Sequence, residues 1–297
     1  RTVWLVTKFD ISAITLDAMQ QRAAELRPLI VRTPVAPLNS ALISQVLDGS
    51  IVHLKMECFQ HTGTFKARGA LSVTQAISSA NKRRGITAAS AGNHAIASAW
   101  AARQCGLNAK VVMQSSANPF RVALAKAERA EIIMKDGGPA TFGEAERLQS
   151  EEGRTFIHPF EGINTSLGTA GVGLEFLEDV PDLEAVIVSV GGGGLISGIA
   201  AAVKAINPEC KVYGVEPEGA DSMSRSLAAG RPVMLDTVDT IADSLAPPMA
   251  LPLGHALCAA YVDDIVTVTD DDICAGMVIL QQEVKLLADE RRRLDQD

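Results

Sequence analysis

Ser189-Val190-Gly191-Gly192-Gly193-Gly194-Leu195-Ile196-Ser197-Gly198 closes an apolar run that starts at Ala185 and opens an alanine-rich stretch that reaches Ile206. The order reads as a buried strand, a glycine loop and the start of a helix, the unit from which α/β sheets are built. A plain strand-to-helix turn needs one or two glycines. Four in succession leave a nest of free backbone amides at the positive end of a helix dipole, a place suited to a phosphate group. Glycine also lets a ligand approach closely and takes dihedrals that other residues avoid.

Upstream, Glu57-Cys58-Phe59-Gln60-His61-Thr62-Gly63-Thr64-Phe65-Lys66-Ala67-Arg68-Gly69-Ala70 stages one amine, that of Lys66. An amine forms a Schiff base with a carbonyl only when it is partly desolvated and held still, and small and aromatic neighbours serve both needs. The plainer reading is a solvated lysine opening a helix, since most lysines lie at the surface. A third segment, Ser90-Ala91-Gly92-Asn93-His94-Ala95, follows a short strand-like stretch and opens an apolar helix.

These three segments, in this order, resemble the serine/threonine dehydratase family, threonine-deaminase-like enzymes of the fold type II group that use pyridoxal phosphate. The resemblance runs from about Ile30 to about Leu287. It implies that Lys66 holds the cofactor as a Schiff base and then removes the substrate Cα proton, helped by a pKa lowered through burial and nearby positive charge. It places Gly191, Gly192, Gly193, Gly194 and Leu195 around the cofactor phosphate, Asn93 on the ring hydroxyl, and Phe65 beside the ring. Ser90, Gly92 and His94, with Thr62 and Thr64, fall in the region that takes the substrate carboxylate. A packed structural histidine is an equal reading of His94, and an ordinary core phenylalanine of Phe65. The implied reaction is loss of water from a β-hydroxy amino acid to give a 2-oxo acid and ammonia, with the pyridine ring as electron sink.

The bulk properties fit a soluble two-lobed α/β protein. The chain has 297 residues, 47% hydrophobic and 21% charged, enough to bury a sizeable core. Its net charge of −8 supplies no basic face for a nucleic-acid backbone. Five scattered cysteines without CxxC spacing suit reduced thiols and a cytoplasmic setting. No apolar run is long enough to cross a bilayer, and the first residues do not form a signal peptide. Alternating apolar and amphipathic stretches predict strands at 51–56, 87–89, 110–113, 131–134, 155–157, 185–190, 211–215 and 264–268. Predicted helices span 15–26, 65–79, 94–105, 119–127, 142–152, 169–178, 195–206 and 270–287. The resemblance supplies the architecture: open twisted, mostly parallel sheets flanked by helices, with a small lobe at 73–160 inserted in a large one formed by 1–72 and 161–297.

Several features bear on alternatives. Glu216 and the backbone oxygen of Ala220 match a divalent-metal site of some relatives, but Ser222 stands where those relatives place a second carboxylate, so no metal is expected and a helix-capping role competes. Racemising relatives carry a serine directly after the position of Ser90; Ala91 moves no proton, which favours elimination. Ser79 and Lys82 form an SxxK match for a cofactor-poor hydrolase, with a surface helix as the better reading. The family continues after Leu287 into a further helix and a strand facing the pyridine nitrogen. This chain instead reads Ala288-Asp289-Glu290-Arg291-Arg292-Arg293-Leu294-Asp295-Gln296-Asp297. The expectation is an open sheet edge and pocket wall, a homo-oligomer, most simply a dimer, that covers them, and a non-catalytic binding protein as a third alternative.

Overall fold

Parallel strands need crossovers, and each crossover here is a helix that buries one stripe against the sheet it serves. The computed structural model describes residues 10–38, 40–283 and 285. The first helix, α1 (Leu16–Leu26), begins where the Thr15 side chain accepts from the Ala18 amide. A small antiparallel pair follows, β1 (Val35–Pro37) with β2 (His53–Lys55), flanking the short α2 (Ala41–Val46). Next come α3 (Lys66–Gln75) and the single turn α4 (Ser79–Lys82). The sequence predicts one helix over 65–79; the chain instead breaks after Gln75, leaving Ser79 and Lys82 on an exposed turn.

Strands β3 (Ile86–Ala89), β4 (Ala109–Gln114), β5 (Glu131–Lys135) and β6 (Thr155–Phe156) form a parallel sheet in the order β5-β4-β3-β6. Its crossovers are α5 (Asn93–Gln104), α6 (Pro119–Ala127) and α7 (Gly138–Glu152). The central β3 is buried along its whole length. Helix α8 (Ile163–Asp179) then leads into the second parallel sheet, β7 (Ala185–Ser189), β8 (Lys211–Pro217) and β9 (Asp264–Val268), in that order. Helices α9 (Ile196–Ile206), α10 (Ser222–Ala229), α11 (Pro252–Tyr261) and α12 (Asp270–Glu283) complete it. The predicted end of the last helix at 287, and the charged stretch 288–297, lie outside the described residues.

Helix α8 packs against both α3 and α9 and so joins the lysine-bearing helix to the helix behind the glycine loop. The approach is close because the contact residues are small. A Cβ on Gly168 would stand 2.7 Å from the Arg68 carbonyl oxygen and 2.7 Å from Ser72 Cβ, and one on Gly173 would stand 3.0 Å from the Ile199 carbonyl oxygen. At the same junction Arg68 is fully buried, its guanidinium held by Glu57 at 2.8 Å and Glu175 at 2.8 Å. Lys55 reaches Glu175 as well, at 2.7 Å. Burial works against the Arg68 charge, and the hydrogen bonds it donates to Glu175 and Glu57 more than offset it, so its pKa is raised. Burial likewise pushes the Glu175 carboxyl up, yet Arg68 and then Lys55 hold it below its ordinary value.

Candidate active site

Ligand sites in open α/β sheets form beyond the carboxyl ends of the strands, and three such ends meet here. Strand β3 delivers Ser90–His94, β6 delivers Ile157–Glu161, and β7 delivers Gly191–Leu195. The first turn of α3 points Lys66 into their midst. A cavity of about 10 Å³ is lined by Phe65, Lys66, Gly69, Ala70, His94, His158, Pro159, Thr165, Thr169 and Gly194.

Lys66 keeps some exposure as a residue, but its Nζ ends in this cavity, donates to the Pro159 carbonyl at 2.7 Å and lies 4.9 Å from the Phe65 ring centroid. Burial of the ammonium pulls its pKa down to about 8. The charge nearby is not cationic help of the kind the sequence suggested; desolvation is the cause. An amine of this kind is uncharged over much of the weakly alkaline range and therefore nucleophilic.

The glycine loop carries the second feature. Among the described residues the amides of Gly191, Gly192, Gly193, Gly194 and Leu195 donate to no protein acceptor, although Gly192, Gly193 and Gly194 are buried. Orphan buried N–H groups are rare, and three in a row, flanked by two partly exposed ones at the start of α9, form an acceptor-seeking cradle for an anion. Its shape depends on glycine: Gly193 has φ +87°, where side chains are strained, and a Cβ on Gly194 would stand 2.7 Å from Phe160 Cα. The Gly192 position is closer still to the Phe160 ring. Thr169 Oγ1 donates to the Gly194 carbonyl at 2.9 Å and ties the cradle to α8.

The loop after β3 is shaped by Ser90, whose Oγ accepts from the Gly92 amide at 3.1 Å. Asn93 opens α5. His94 faces the cavity, but its Nε2 donates to the Ile157 carbonyl at 2.8 Å, and burial lowers its pKa to about 3, keeping it neutral. In the loop before α3, Thr62 has φ 64° and its buried Oγ1 has no partner among the described residues. A strained backbone with an unspent hydroxyl is the sort of feature that binding loops retain. Thr64 Oγ1 accepts from the Lys66 amide at 3.3 Å and helps start α3.

The sequence points to Lys66, Phe65, His94 and Gly194 in this cavity and does not single out His158, Pro159, Thr165 and Thr169, nor Phe160, which lies against Gly192 and Gly194. His158-Pro159-Phe160 follows a strand just as the two noticed loops do, and that repeated position was the available signal. His158 is held neutral, its pKa lowered to about 4 by burial and then by Lys66, and its Nδ1 accepts from the Glu161 amide at 3.1 Å. Glu216 serves α10: both carboxylate oxygens accept helix amides, Met223 at 2.8 Å and Ser224 at 2.8 Å, while Ala220 sits in the turn before it. That use is the capping role weighed against metal binding.

A desolvated lysine facing an anion cradle across parallel-strand termini defines an enzyme that works through a phosphorylated carbonyl cofactor. The chain belongs to the family described as pyridoxal-phosphate dependent enzyme, whose sequence model matches residues 26–290, and its fold is that of the fold type II members. It is 43% identical to phenylserine dehydratase of Ralstonia pickettii, over 95% of this chain and 86% of that protein. It is 38% identical to L-threonine ammonia-lyase of Thermotoga maritima, over 93% of this chain and 68% of that protein. Among solved structures, maize serine racemase superposes with a TM-score of 0.87 at 36% identity, covering 92% of this chain and 82% of that one.

Pyridoxal phosphate fits the groups present in two respects: the orphan amides match a phosphate dianion, and the Lys66 amine matches an aldehyde. Space is the exception. A cavity of about 10 Å³ holds about one water, less than a pyridine ring needs beside Lys66, and Phe160 lies against the Gly192 and Gly194 part of the cradle.

Proposed function

We propose that this protein is a β-hydroxy amino acid dehydratase, a lyase that eliminates water from serine-like, threonine-like or phenylserine-like substrates to leave an enamine, which takes water back on hydrolysis to give a 2-oxo acid and ammonia. The observation that carries the proposal is the pairing of the buried, depressed Lys66 amine with the unspent amides of Gly191–Leu195. When bound, pyridoxal phosphate supplies an electron sink for the substrate Cα. The Gly191–Leu195 amides would hold its phosphate, Lys66 its aldehyde carbon, Asn93 its ring hydroxyl and Phe65 its ring.

The chain's own residues do the rest. Lys66 Nζ, once free of the aldehyde, is the base placed to take the Cα proton, and its low pKa keeps it ready to accept one near neutral to weakly alkaline pH. Ser90, Gly92 and the strained Thr62 hydroxyl would orient the substrate carboxylate, with Thr64 fixing the turn beneath them. His94 and His158 stay uncharged and wall the cavity, so they neither compete for the proton nor repel the lysine. Burial on this side excludes water from the reacting carbon.

A racemase reading remains because of the maize relative's name. Ala91 argues for elimination, because it offers a methyl group where a second proton carrier would be needed. The same proposal takes 73–160 as the small lobe, and 1–72 with 161–297 as the large one. The five free cysteines suit a reducing compartment, and a homo-oligomer is the assembly we expect.

The test pairs chemistry with product analysis. Borohydride treatment of the cofactor-loaded protein is expected to leave a phosphopyridoxyl mass on the peptide carrying Lys66, and L-threonine, L-serine and L-phenylserine are to be assayed for 2-oxo acid release. Formation of the D-enantiomer with no 2-oxo acid from any of the three would replace the proposal with racemisation. A label on another lysine would remove it altogether.

A further inference from the structure

One buried cation stands between the two loops just assigned and takes no part in the roles given above. Arg121, in the first turn of α6, is 6% exposed. Its Nη1 lies 2.8 Å from where a Cβ on Gly92 would stand, so the guanidinium rests on the loop after β3, and a side chain at Gly92 would push it away. The same Nη1 is 3.5 Å from Asp243 Oδ2. Asp243 opens the short turn Asp243–Leu245, and Leu245 Cα stands 3.1 Å from where a Cβ on Gly191 would be. A continuous set of contacts therefore runs from Gly92 through Arg121 and Asp243 to Gly191. It connects a helix of the four-stranded sheet to the segment packed on the anion cradle of the three-stranded sheet. A guanidinium taken out of water is unfavourable unless paired, so the position of Arg121 is bound to that of Asp243.

We propose that Arg121 is a positioning residue that, through Asp243, fixes the spacing between the Ser90–His94 loop and the Gly191–Leu195 loop. Its significance for catalysis rests on the reading of these loops as substrate-carboxylate and cofactor-phosphate sites, since the spacing between them must match a substrate joined to the cofactor. Both loops are backbone cradles without a charged side chain of their own, so their separation is set by whatever joins the elements that carry them. A charge pair with little exposure is a joint that resists shear yet gives way when one charge is removed.

The experiment uses the cofactor-loaded protein and four variants: Arg121→Met, Arg121→Lys, Asp243→Asn and the Arg121→Met/Asp243→Asn double variant. Amide hydrogen exchange at 90–94 and 191–195 is read beside KM and kcat for L-threonine and L-phenylserine. Arg121→Met is expected to speed exchange in both segments and to raise KM by about tenfold, with kcat altered by less than about threefold. Arg121→Lys should recover part of the loss, and the double variant should be no worse than the worse single one, as expected for two ends of one interaction. Should Arg121→Met fail to fold, Asp243→Asn, which keeps the shape and removes the charge, carries the same reading.

Wild-type exchange in the 191–195 segment of Asp243→Asn, or effects that simply add in the double variant, would overturn the joint. The outcomes separate this idea from the functional one. Coupled exchange without dehydratase activity leaves the joint standing and the activity rejected; activity without coupled exchange does the reverse.

Discussion

Arg68 carries its guanidinium where no water reaches it, and the two carboxylates that face it lie mostly buried too. Replacing it by methionine leaves Glu57 and Glu175 without their main partner, a loss of about 3–5 kcal/mol, measurable as a lower urea midpoint. Acid should shrink that difference. Glu175 titrates below its ordinary value in the folded protein, so the stability it contributes is complete above the unfolded carboxylate pKa and is lost as pH falls through the folded one. The gap between wild type and Arg68→Met is therefore expected to be widest at neutral pH and to close toward pH values below about 4. Lys66 gives a slope of the same sign at higher pH. Its amine loses its proton near pH 8 in the folded chain and near 10.5 when exposed, so this one group makes the native state gain stability across that interval. The rate of reaction with added pyridoxal phosphate should climb through pH 8 and then level off. A rate still rising toward 10.5 would show that the amine is solvated.

Elements show where sequence sufficed and where it did not. The β7-to-α9 transition was legible because a strand, four glycines and an alanine helix leave few alternative readings, and β9 matches its predicted bounds at both ends. Lys66 and the cradle were legible for the same reason: backbone chemistry writes itself into glycine spacing. The sequence predicts α8 only from Thr169, because Ile163-Asn164-Thr165-Ser166-Leu167-Gly168 looks like turn sequence. In the fold those small residues are what let α8 approach α3, a tertiary reason that local propensity does not register. Strand β1 is too short and too proline-marked to stand out, although its partner β2 falls within the predicted strand 51–56; α10 and α11 start on carboxylates outside themselves, Glu216 seven residues before Met223 and Glu161 from another loop. A Gly168→Val variant is the corresponding test. It drives a branched side chain into the Arg68 carbonyl and should cost about 3 kcal/mol, read by denaturant unfolding, whereas Gly143→Ala, at a position with open space, should be neutral or better.

At the scale of the whole molecule, the site is assembled from two parallel sheets and closed by a segment belonging to neither cradle. Phe160 lies against Gly192 and Gly194, and rings run outward from it through His158, 4.6 Å away, to Phe156, a further 5.7 Å. Removing the Phe160 ring should uncover the Gly192 and Gly194 part of the cradle. Phe160→Ala is expected to take up pyridoxal phosphate about tenfold faster and release it faster as well, followed by absorbance after mixing and after dilution. Unchanged rates would show that the cofactor enters by another route.

The loop between β7 and α9 attracts anions with fixed dipoles alone, for nothing from Gly191 to Leu195 ionises. Such a grip has no titration curve. Acid or alkali would alter how firmly the coenzyme stays only through its own ester protons and the single covalent amine. Sulfate should accordingly displace it to a similar extent across the neutral range, where a lysine-lined or histidine-lined pocket would favour acid.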